Sequence, residues 1–197
     1  MPYIRPLKLE EIVDPDLQQR LGEYQRIRKF IPNSVKTMAR RPNIAKRFAD
    51  LNKAILYEGT VCEELKMLVS LASSYAAGCR YCQSHMANLS SIYEASDEKI
   101  AALWDFERSP LFSAAERAAI TLAMKAGRLP NEASQEDFDE LARHFDEGQI
   151  VEIVAAIALF GYLNRWNDTM ATELESYPKE VAQRTIGSTG WTPGKHG

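Results

Sequence analysis

The chain has 197 residues, 45% of them hydrophobic and 26% charged, which are ordinary proportions for a soluble globular protein. A formal net charge of −3 gives no broad positive field, so we expect no nucleic-acid partner. The N-terminus has no apolar segment after a basic one, and no uninterrupted apolar run approaches the roughly 20 residues that span a bilayer. We therefore expect a cytoplasmic protein with no membrane partner.

Apolar residues at helical spacing predict the elements of the first half. Residues 16–30 are predicted as a helix, and Pro42 suits the first turn of another helix that runs to Gly59. A mostly apolar helix then extends from Thr60, its candidate N-cap, to Gly78. A further helical stretch follows at once and carries a CXXC pair.

Cap and stop signals predict the elements of the second half. A capping-box pattern at Ser113 and Glu116 begins a helix that stops at Gly127, another helix starts after Ser134, and the longest apolar helix follows Gly148. No segment alternates as a strand does. The sequence therefore predicts an all-α bundle.

The domain organisation is predicted from the same pattern. Residues 1–176 are expected to form a single all-helical domain. The glycines and prolines of residues 177–197 predict a loosely ordered C-terminal tail, which Trp191 could pin to a neighbour.

Cysteine usage points to chemistry rather than to structural cross-links. Three cysteines are too few for a disulfide framework, and a reducing cytosol does not preserve a purely structural bridge. Cys79 and Cys82 are three residues apart on a predicted helix, so both thiols face the same way and are able to close a disulfide. If the helix breaks at Gly78, the free N–H groups at its start favour a thiolate at Cys79.

His85 lies one turn after Cys82, within reach of its sulfur as a base or hydrogen-bond partner. The alternative interpretation is that the cysteines are small helical core residues and that His85 is a satisfied histidine. A CXXC pair that opens a helix after glycine, with a histidine one turn on, favours the redox interpretation.

The segment GCRYCQSH, preceded by ELKMLVSLASSYAA, resembles the signature of the carboxymuconolactone decarboxylase superfamily, in its alkylhydroperoxidase D-like, peroxidase-related branch. The resemblance continues through FSAAERAAITLAMKAG and IVEIVAAIALFGYLNRWND and covers about residues 45–175. It implies an alkylhydroperoxidase D-like helical bundle that forms homo-oligomers and needs no metal or organic cofactor. It also implies a CXXC site that takes a small peroxide as substrate and a thiol, dithiol or protein as electron donor.

The resemblance carries over to three residues of the site. Cys79 and Cys82 match the two cysteines of the family, and His85 matches a histidine common in the peroxidase-related branch. In the family the second cysteine is usually the one that attacks peroxide, whereas the helix-terminus argument favours a thiolate on the first. The order of attack is therefore left open.

Two positions depart from the family pattern. Met67 stands where the family has its relay glutamate, and Met86 stands where it has its relay histidine. Glu63 and Glu64, one turn before Met67, are candidate replacements acting through water. The alternative for both acids is a solvent-exposed charge in the first turn of a helix.

Three further residues have a predicted role. Cys62 could join the CXXC pair and His85 in a zinc site, but structural zinc ligands usually come from turns, so we predict a small buried hydrophobe instead. Arg165 and Asp168 lie three residues apart on the long apolar helix and are predicted to pair, since an unpaired charge there is costly.

The predicted function is a thiol-dependent hydroperoxide reductase or disulfide oxidoreductase, a peroxiredoxin-type enzyme with activity weakened by the two methionines. Two alternatives remain. One is a non-catalytic helical oligomer of the same fold, and the other is a lactone decarboxylase of the kind that names the superfamily.

Overall fold

A computed structural model describes all 197 residues, and every regular element in it is helical, as predicted. The α-helices are α1 (Pro15–Arg28), α2 (Asn33–Met38), α3 (Pro42–Tyr57), α4 (Glu63–Ala76), α5 (Arg80–Ile92), α6 (Asp97–Ala101), α7 (Ala114–Ala126), α8 (Gln135–Leu141), α9 (Glu147–Met170) and α10 (Ser176–Ile186). Short 3₁₀ turns lie at Leu9–Glu11, Ala102–Asp105, Gly187–Thr189 and Gly194–His196.

Helix α4 lies at the centre of the bundle. Every residue from Leu65 to Ser74 is buried, and the helix packs against α3, α5, α7 and α9. A helix that is apolar on all sides has to be covered on all sides, so this placement follows from its sequence.

Gly78 makes the sharp turn between α4 and α5. Its φ of +74° lies in the left-handed region, which costs glycine little because it has no Cβ. The turn ends α4 and leaves Cys79 as the N-cap of α5. The predicted helix break is thus confirmed.

Helix α4 begins at a different place from the one predicted, because a buried ion pair organises the loop before it. Lys66, 1% exposed, forms an ion pair with Glu152 of α9 at 2.8 Å. The Glu152 carboxylate also accepts the backbone N–H groups of Thr60 at 2.8 Å and Val61 at 3.1 Å. Thr60 is therefore a donor to Glu152, and Cys62 is the N-cap of α4.

In the second half the predicted helix boundaries agree with the structure to within a few residues. Ser113 and Glu116 form the predicted capping box of α7. The helix after Ser134 ends at Leu141. Helix α9 begins at Glu147, where the Asp146 carboxylate accepts the third N–H of the helix.

The expectation of a loosely ordered tail at 177–197 is wrong. Helix α10 packs against α5 and α6. The residues of its inner face are buried: Pro178, Val181, Ala182, Thr185 and Ile186. This spacing is that of an amphipathic helix, which the tail's glycines and prolines obscured in the sequence.

The residues after α10 are also fixed. Buried Trp191 donates its indole N–H to the carbonyl of Arg80 at 3.3 Å. The N–H of Leu174 donates to the carbonyl of buried His196 at 2.8 Å. Residues 191–197 therefore fold back against both α5 and the loop that leads into α10.

One helix, α9, is long and apolar enough to cross a membrane by length and composition alone. It packs against α3, α4, α5 and α7 inside the bundle. Core helices of soluble proteins pass the same test, so this is weak evidence for a membrane span.

Candidate functional site

The CXXC pair lies at the buried N-terminus of α5. The N–H of Cys82 points at the Cys79 sulfur, 3.4 Å away, and both cysteines are free thiols. An N–H that donates to sulfur stabilises negative charge there, which agrees with the sequence argument for Cys79.

The thiol of Cys82 lies in a more apolar setting. Burial raises the pKa of Cys82 well above its usual value, and the neighbouring Cys79 adds to the rise. One contact opposes it: the Asn167 side chain donates its amide N–H to the Cys82 sulfur at 3.4 Å. Cys82 therefore needs a proton acceptor before it is able to act as a thiolate.

A small cavity lies beside Cys82. It measures about 30 Å³ and is lined by Cys82, His85, Met86 and Asn167 among others, whereas Cys79 is not part of its wall. We call it the inner cavity. Its volume corresponds to about one water molecule or one small reacting group.

His85 is held by a carboxylate that comes from the other end of the chain. Its Nε2 lies 2.7 Å from Oε2 of Glu175, the N-cap of α10, and the two side chains are 6% and 12% exposed. The Tyr81 hydroxyl donates to the other Glu175 oxygen at 3.1 Å, and the backbone N–H of Asn33 donates to the same oxygen. The Tyr81 ring stacks on His85 with centroids 4.3 Å apart.

These contacts set the charge of Glu175. Burial tends to raise the pKa of Glu175, but the charge and hydrogen bond of His85 and the N–H of Asn33 bring it below its usual value on balance. Burial and the nearby Glu175 charge raise the pKa of Tyr81 well above 10, so its hydroxyl stays a donor. Glu175 is thus a carboxylate at neutral pH, able to orient His85 and to stabilise its protonated form.

The structure brings neither of the predicted relay acids, Glu63 and Glu64, to the CXXC pair. The Glu64 carboxylate binds Lys99 at 2.7 Å, and Lys99 also binds Glu116. Glu63 makes no side-chain hydrogen bond, and both acids lie in the first turn of α4, at the opposite end from the cysteines. The carboxylate that contacts His85 is Glu175, whose only sequence signal was its place just before an amphipathic helix.

The two methionines lie where the bundle is tightest. Met67 is fully buried in the core, and Met86 is buried against the inner cavity. The pocket beside Cys82 therefore has a thioether where the family pattern has a relay imidazole, and the one imidazole that lines it is His85.

Cys62 is exposed at the N-cap of α4, which corrects the prediction of a buried hydrophobe. Cys62 precedes the first turn of α4 at the surface, outside the buried stretch from Leu65 to Ser74. The 14 residues of α4 separate Cys62 from the CXXC pair by roughly 20 Å, so these residues are not assembled as zinc ligands.

Asp168 pairs with the C-terminal segment and not with Arg165. It binds Lys195 at 2.9 Å and lies 3.7 Å from the ring of His196. Arg165 instead donates to the carbonyl of Gly161. The predicted pair fails because the folded-back residues 191–197 supply nearer cations.

Comparison with known proteins places this site in a family context. Residues 42–125, which include the CXXC pair, match the model of the carboxymuconolactone decarboxylase family. A segment of 106 residues is 30% identical to the uncharacterized protein YnjA of Escherichia coli (strain K12), and this match covers 54% of the chain and 58% of that protein.

Solved structures match over nearly the whole chain. The debrominase Bmp8 is 34% identical with a TM-score of 0.85, over 92% of this chain and 97% of that one. A cysteine-to-alanine variant of Bmp8 in complex with 2,3,4-tribromopyrrole matches with a TM-score of 0.86 at 33% identity, over 92% and 96% of the two chains. A peroxidase-related protein with the alkylhydroperoxidase AhpD core, from Ralstonia eutropha JMP134, matches with a TM-score of 0.75 at 23% identity, over 93% and 97%. The last match establishes the likeness of fold.

Proposed function

The chain belongs to the carboxymuconolactone decarboxylase family as an AhpD-like member, and from this premise we propose that it is a dithiol-dependent reductase. In this reaction the CXXC pair gives two electrons to a small electrophilic substrate and becomes a disulfide. The observation that carries the proposal is the inner cavity, which joins Cys82 to the His85–Glu175 pair.

Cys82 is the attacking thiol in this proposal. It lines the inner cavity and Cys79 does not, so a substrate in the cavity meets the second cysteine. Cys79, three residues away, is placed to resolve the product. The lining of the cavity supports this order of attack, which the sequence left open.

His85 removes the proton from the Cys82 thiol, through the substrate or through a water in the inner cavity. Both side chains face this cavity, and Glu175 stabilises the imidazolium that forms. General-base help of this kind is worth roughly 10²–10⁴ in rate. The thiolate is then stabilised by the amide N–H of Asn167.

The first candidate substrate is a small hydroperoxide. The Cys82 thiolate attacks the peroxide oxygen, the O–O bond breaks, and an alcohol leaves with the proton from His85. The Cys79 sulfur attacks the sulfenic acid formed on Cys82, the S–O bond breaks, and the hydroxyl leaves as water with the proton of the Cys79 thiol.

A second candidate is a brominated aromatic ring, and the likeness to Bmp8 over 92% of the chain favours it. Here the Cys82 thiolate attacks bromine, the C–Br bond breaks, and the ring carbon takes the proton from His85. Cys79 then attacks the sulfur of the S–Br group, which forms the disulfide and releases bromide. The C–Br group, rather than the whole ring, enters the inner cavity, whose walls include Phe48 and Phe160.

Either cycle needs an external dithiol or a thiol protein to reduce the disulfide again. Such donors are available in a reducing compartment, so we place the enzyme in the cytoplasm. Lactone decarboxylation has no use for a dithiol pair, and a non-catalytic oligomer has no use for a histidine–carboxylate pair beside it.

Trypsin makes the reaction easy to follow, because it cuts at Arg80, between the two cysteines. Residues 67–80 carry Cys79 and residues 81–99 carry Cys82, so a disulfide joins two peptides that are otherwise separate. We expect reduced protein treated with one equivalent of cumene hydroperoxide or 2,3,4-tribromopyrrole to yield the joined peptide, with bromide released only in the second case.

Single-thiol variants test the order of attack. Cys79→Ser should still react and leave a sulfenic acid on Cys82 that dimedone traps, whereas Cys82→Ser should not react. Cys62→Ser is the matched control, because Cys62 is an exposed thiol away from the cavity. Disulfides that contain Cys62 as the main product, or no joined peptide with either reagent, would sink the proposal.

We further propose that the enzyme self-associates through α9. Val151, Val154 and Ala158 lie on one face of this helix and are exposed. Light scattering should give a mass well above the 22.2 kDa of one chain, and Val151→Glu should lower it. A monomer at micromolar concentration contradicts this.

A further inference from the structure

Arg28 is a buried cation that no anion neutralises. It ends α1, is 7% exposed, and forms no ion pair within 4.0 Å with any carboxylate. Its one side-chain hydrogen bond goes to the hydroxyl of Tyr57 at 3.1 Å, and its guanidinium lies over the Tyr24 ring at 5.3 Å. A guanidinium has five N–H donors, and buried arginines are almost always paired.

Arg28 lies between the inner cavity and a larger one. A cavity of about 250 Å³, which we call the outer cavity, lies between α1 and α3 and is bordered by exposed residues. Tyr24, Arg28 and Asn52 line both cavities, so they form the partition between them. A molecule that passes from solvent to Cys82 by this route passes Arg28.

The partition has further unused hydrogen-bonding groups. The Asn52 side chain, 4% exposed, makes no hydrogen bond to the protein, and the Tyr24 hydroxyl makes none either. Burial raises the pKa of Tyr24 to about 12, so its hydroxyl remains a donor. Most of the Arg28 donors, the Asn52 side-chain amide and the Tyr24 hydroxyl therefore have no hydrogen-bond partner in the protein.

The charges of the outer cavity do not satisfy Arg28. Asp16 and Asp50 are both paired with Arg20. Glu23 and Lys53 also lie in the wall. They form no ion pair with each other, and Glu23 forms none with Arg28. The wall of the outer cavity is thus mixed in charge, and the buried positive charge at its inner end is the feature that selects a ligand.

We propose that Arg28 binds the anionic group of the substrate and that the enzyme acts on small organic anions. The substrate presents its small reacting group to Cys82 in the inner cavity, while its carboxylate or ionised ring group stays at the partition. A planar guanidinium suits such a group because it donates two parallel hydrogen bonds. This inference rests on the proposed function in taking Cys82 as the reacting thiol.

The test compares two alkylating reagents of similar size, the anion iodoacetate and the neutral amide iodoacetamide. In both, the Cys82 sulfur attacks the CH₂ group, a C–S bond forms and iodide leaves. Modification is read on the tryptic peptide 81–99. In Arg28→Gln the ratio of the iodoacetate rate to the iodoacetamide rate should fall by at least about tenfold, since a charge-assisted hydrogen bond is lost.

Two variants serve as controls for charge and for fold. Arg28→Lys keeps the charge and should retain most of the ratio. Arg26→Gln removes an exposed arginine from the same turn of α1 and should leave the ratio within about twofold of the parent value. An unchanged ratio in Arg28→Gln overturns the proposal.

A second measurement uses the unaltered protein and decides the matter if Arg28→Gln fails to fold. Benzoate should slow the reaction of Cys82 with iodoacetamide at a concentration at least about tenfold lower than neutral benzamide, which has the same shape. Equal protection by the two compounds, or protection by neither, overturns the proposal. If Cys82 shows this charge selectivity but neither peroxide nor bromopyrrole forms the disulfide, Arg28 is still an anion-binding residue. The proposed reductase function is then wrong.

Discussion

Two partly buried glutamates pair with basic side chains of the α4–α5 hairpin, one in a structural role and one beside the reactive thiols. Glu152 binds Lys66 and holds the backbone of the loop before α4. Glu175 binds His85 and the backbone of Asn33. Lysine stays charged near neutral pH, whereas histidine loses its proton in that range. The first pair is therefore a permanent structural clamp and the second is able to move a proton.

The largest effect on stability is expected at the lysine pair. Glu152→Gln leaves Lys66 buried without a counter-ion, and removing one partner of a buried pair costs about 3–5 kcal/mol. We expect the lower end of this range, because Glu152 is itself 21% exposed. Urea unfolding measures the loss, and Glu147→Gln, an exposed change on the same helix, is the control.

The alkylation rate of Cys82 in folded Glu152→Gln should stay near that of the parent protein. A large loss of thiol reactivity in this variant would mean that the two pairs do not divide their roles as described.

The largest effect on chemistry is expected at the histidine pair. Glu175→Gln keeps the size of the side chain but removes the charge that stabilises imidazolium, so oxidation of Cys82 by cumene hydroperoxide at pH 7 should slow roughly 100-fold. The stability cost should be smaller than for Glu152→Gln, because His85 is able to become neutral. The rate is measured by quenching the reaction at set times and quantifying the joined tryptic peptide.

Glu180→Gln is the control for this variant, since Glu180 is an exposed acid on α10 without an ion pair. If Glu175→Gln reacts as fast as Glu180→Gln between pH 6 and pH 9, His85 and Glu175 have a structural role only.

The decrease in the free energy of unfolding at acid pH should reflect both Glu152 and Glu175. Their pKa values are lowered on folding, Glu152 from 4.5 to about 2 and Glu175 in the same direction. A lowered carboxylate pKa stabilises the folded state above the unfolded pKa, and this stability is lost as the pH falls from about 4.5 toward 2. Unfolding free energy measured across this window should fall less steeply in Glu152→Gln than in the parent protein. Equal slopes would show that the clamp carboxylate is not ionised.

The sequence predicted those parts of the site that are local in the chain. Gly78, the two cysteines and His85 lie within eight residues, and helix rules alone place Cys82 one turn from both Cys79 and His85. Glu175 lies 90 residues after His85, and Asn167 lies 85 residues after Cys82, so no local pattern connects them. Glu63 and Glu64 are candidates because they lie one turn before Met67 in the sequence. The structure places both at the end of α4 that is far from the cysteines.

The C-terminal residues show the same limit from another side. Glycine and proline signals near 187–197 are real turn signals, and the chain does turn there. These turn signals do not indicate whether the segments between the turns are buried. That burial depends on a groove formed by helices distant in the sequence. Trp191 alone indicated that this segment is packed, because a large aromatic residue in a polar segment is usually buried against a neighbour.

The smallest effect is expected at Tyr81, which touches both members of the histidine pair. Tyr81→Phe keeps the ring that stacks on His85 but removes one of the three hydrogen bonds that Glu175 accepts. A single hydrogen bond to a charged group contributes about 1.5–3 kcal/mol when buried, and two other donors remain, so the oxidation rate of Cys82 should fall only about threefold to tenfold. Oxidation rates at pH 7 measure the loss, with Tyr177→Phe on the exposed start of α10 as the control. A loss as large as that of Glu175→Gln would show that the Tyr81 hydroxyl, rather than the carboxylate, is the main partner of His85.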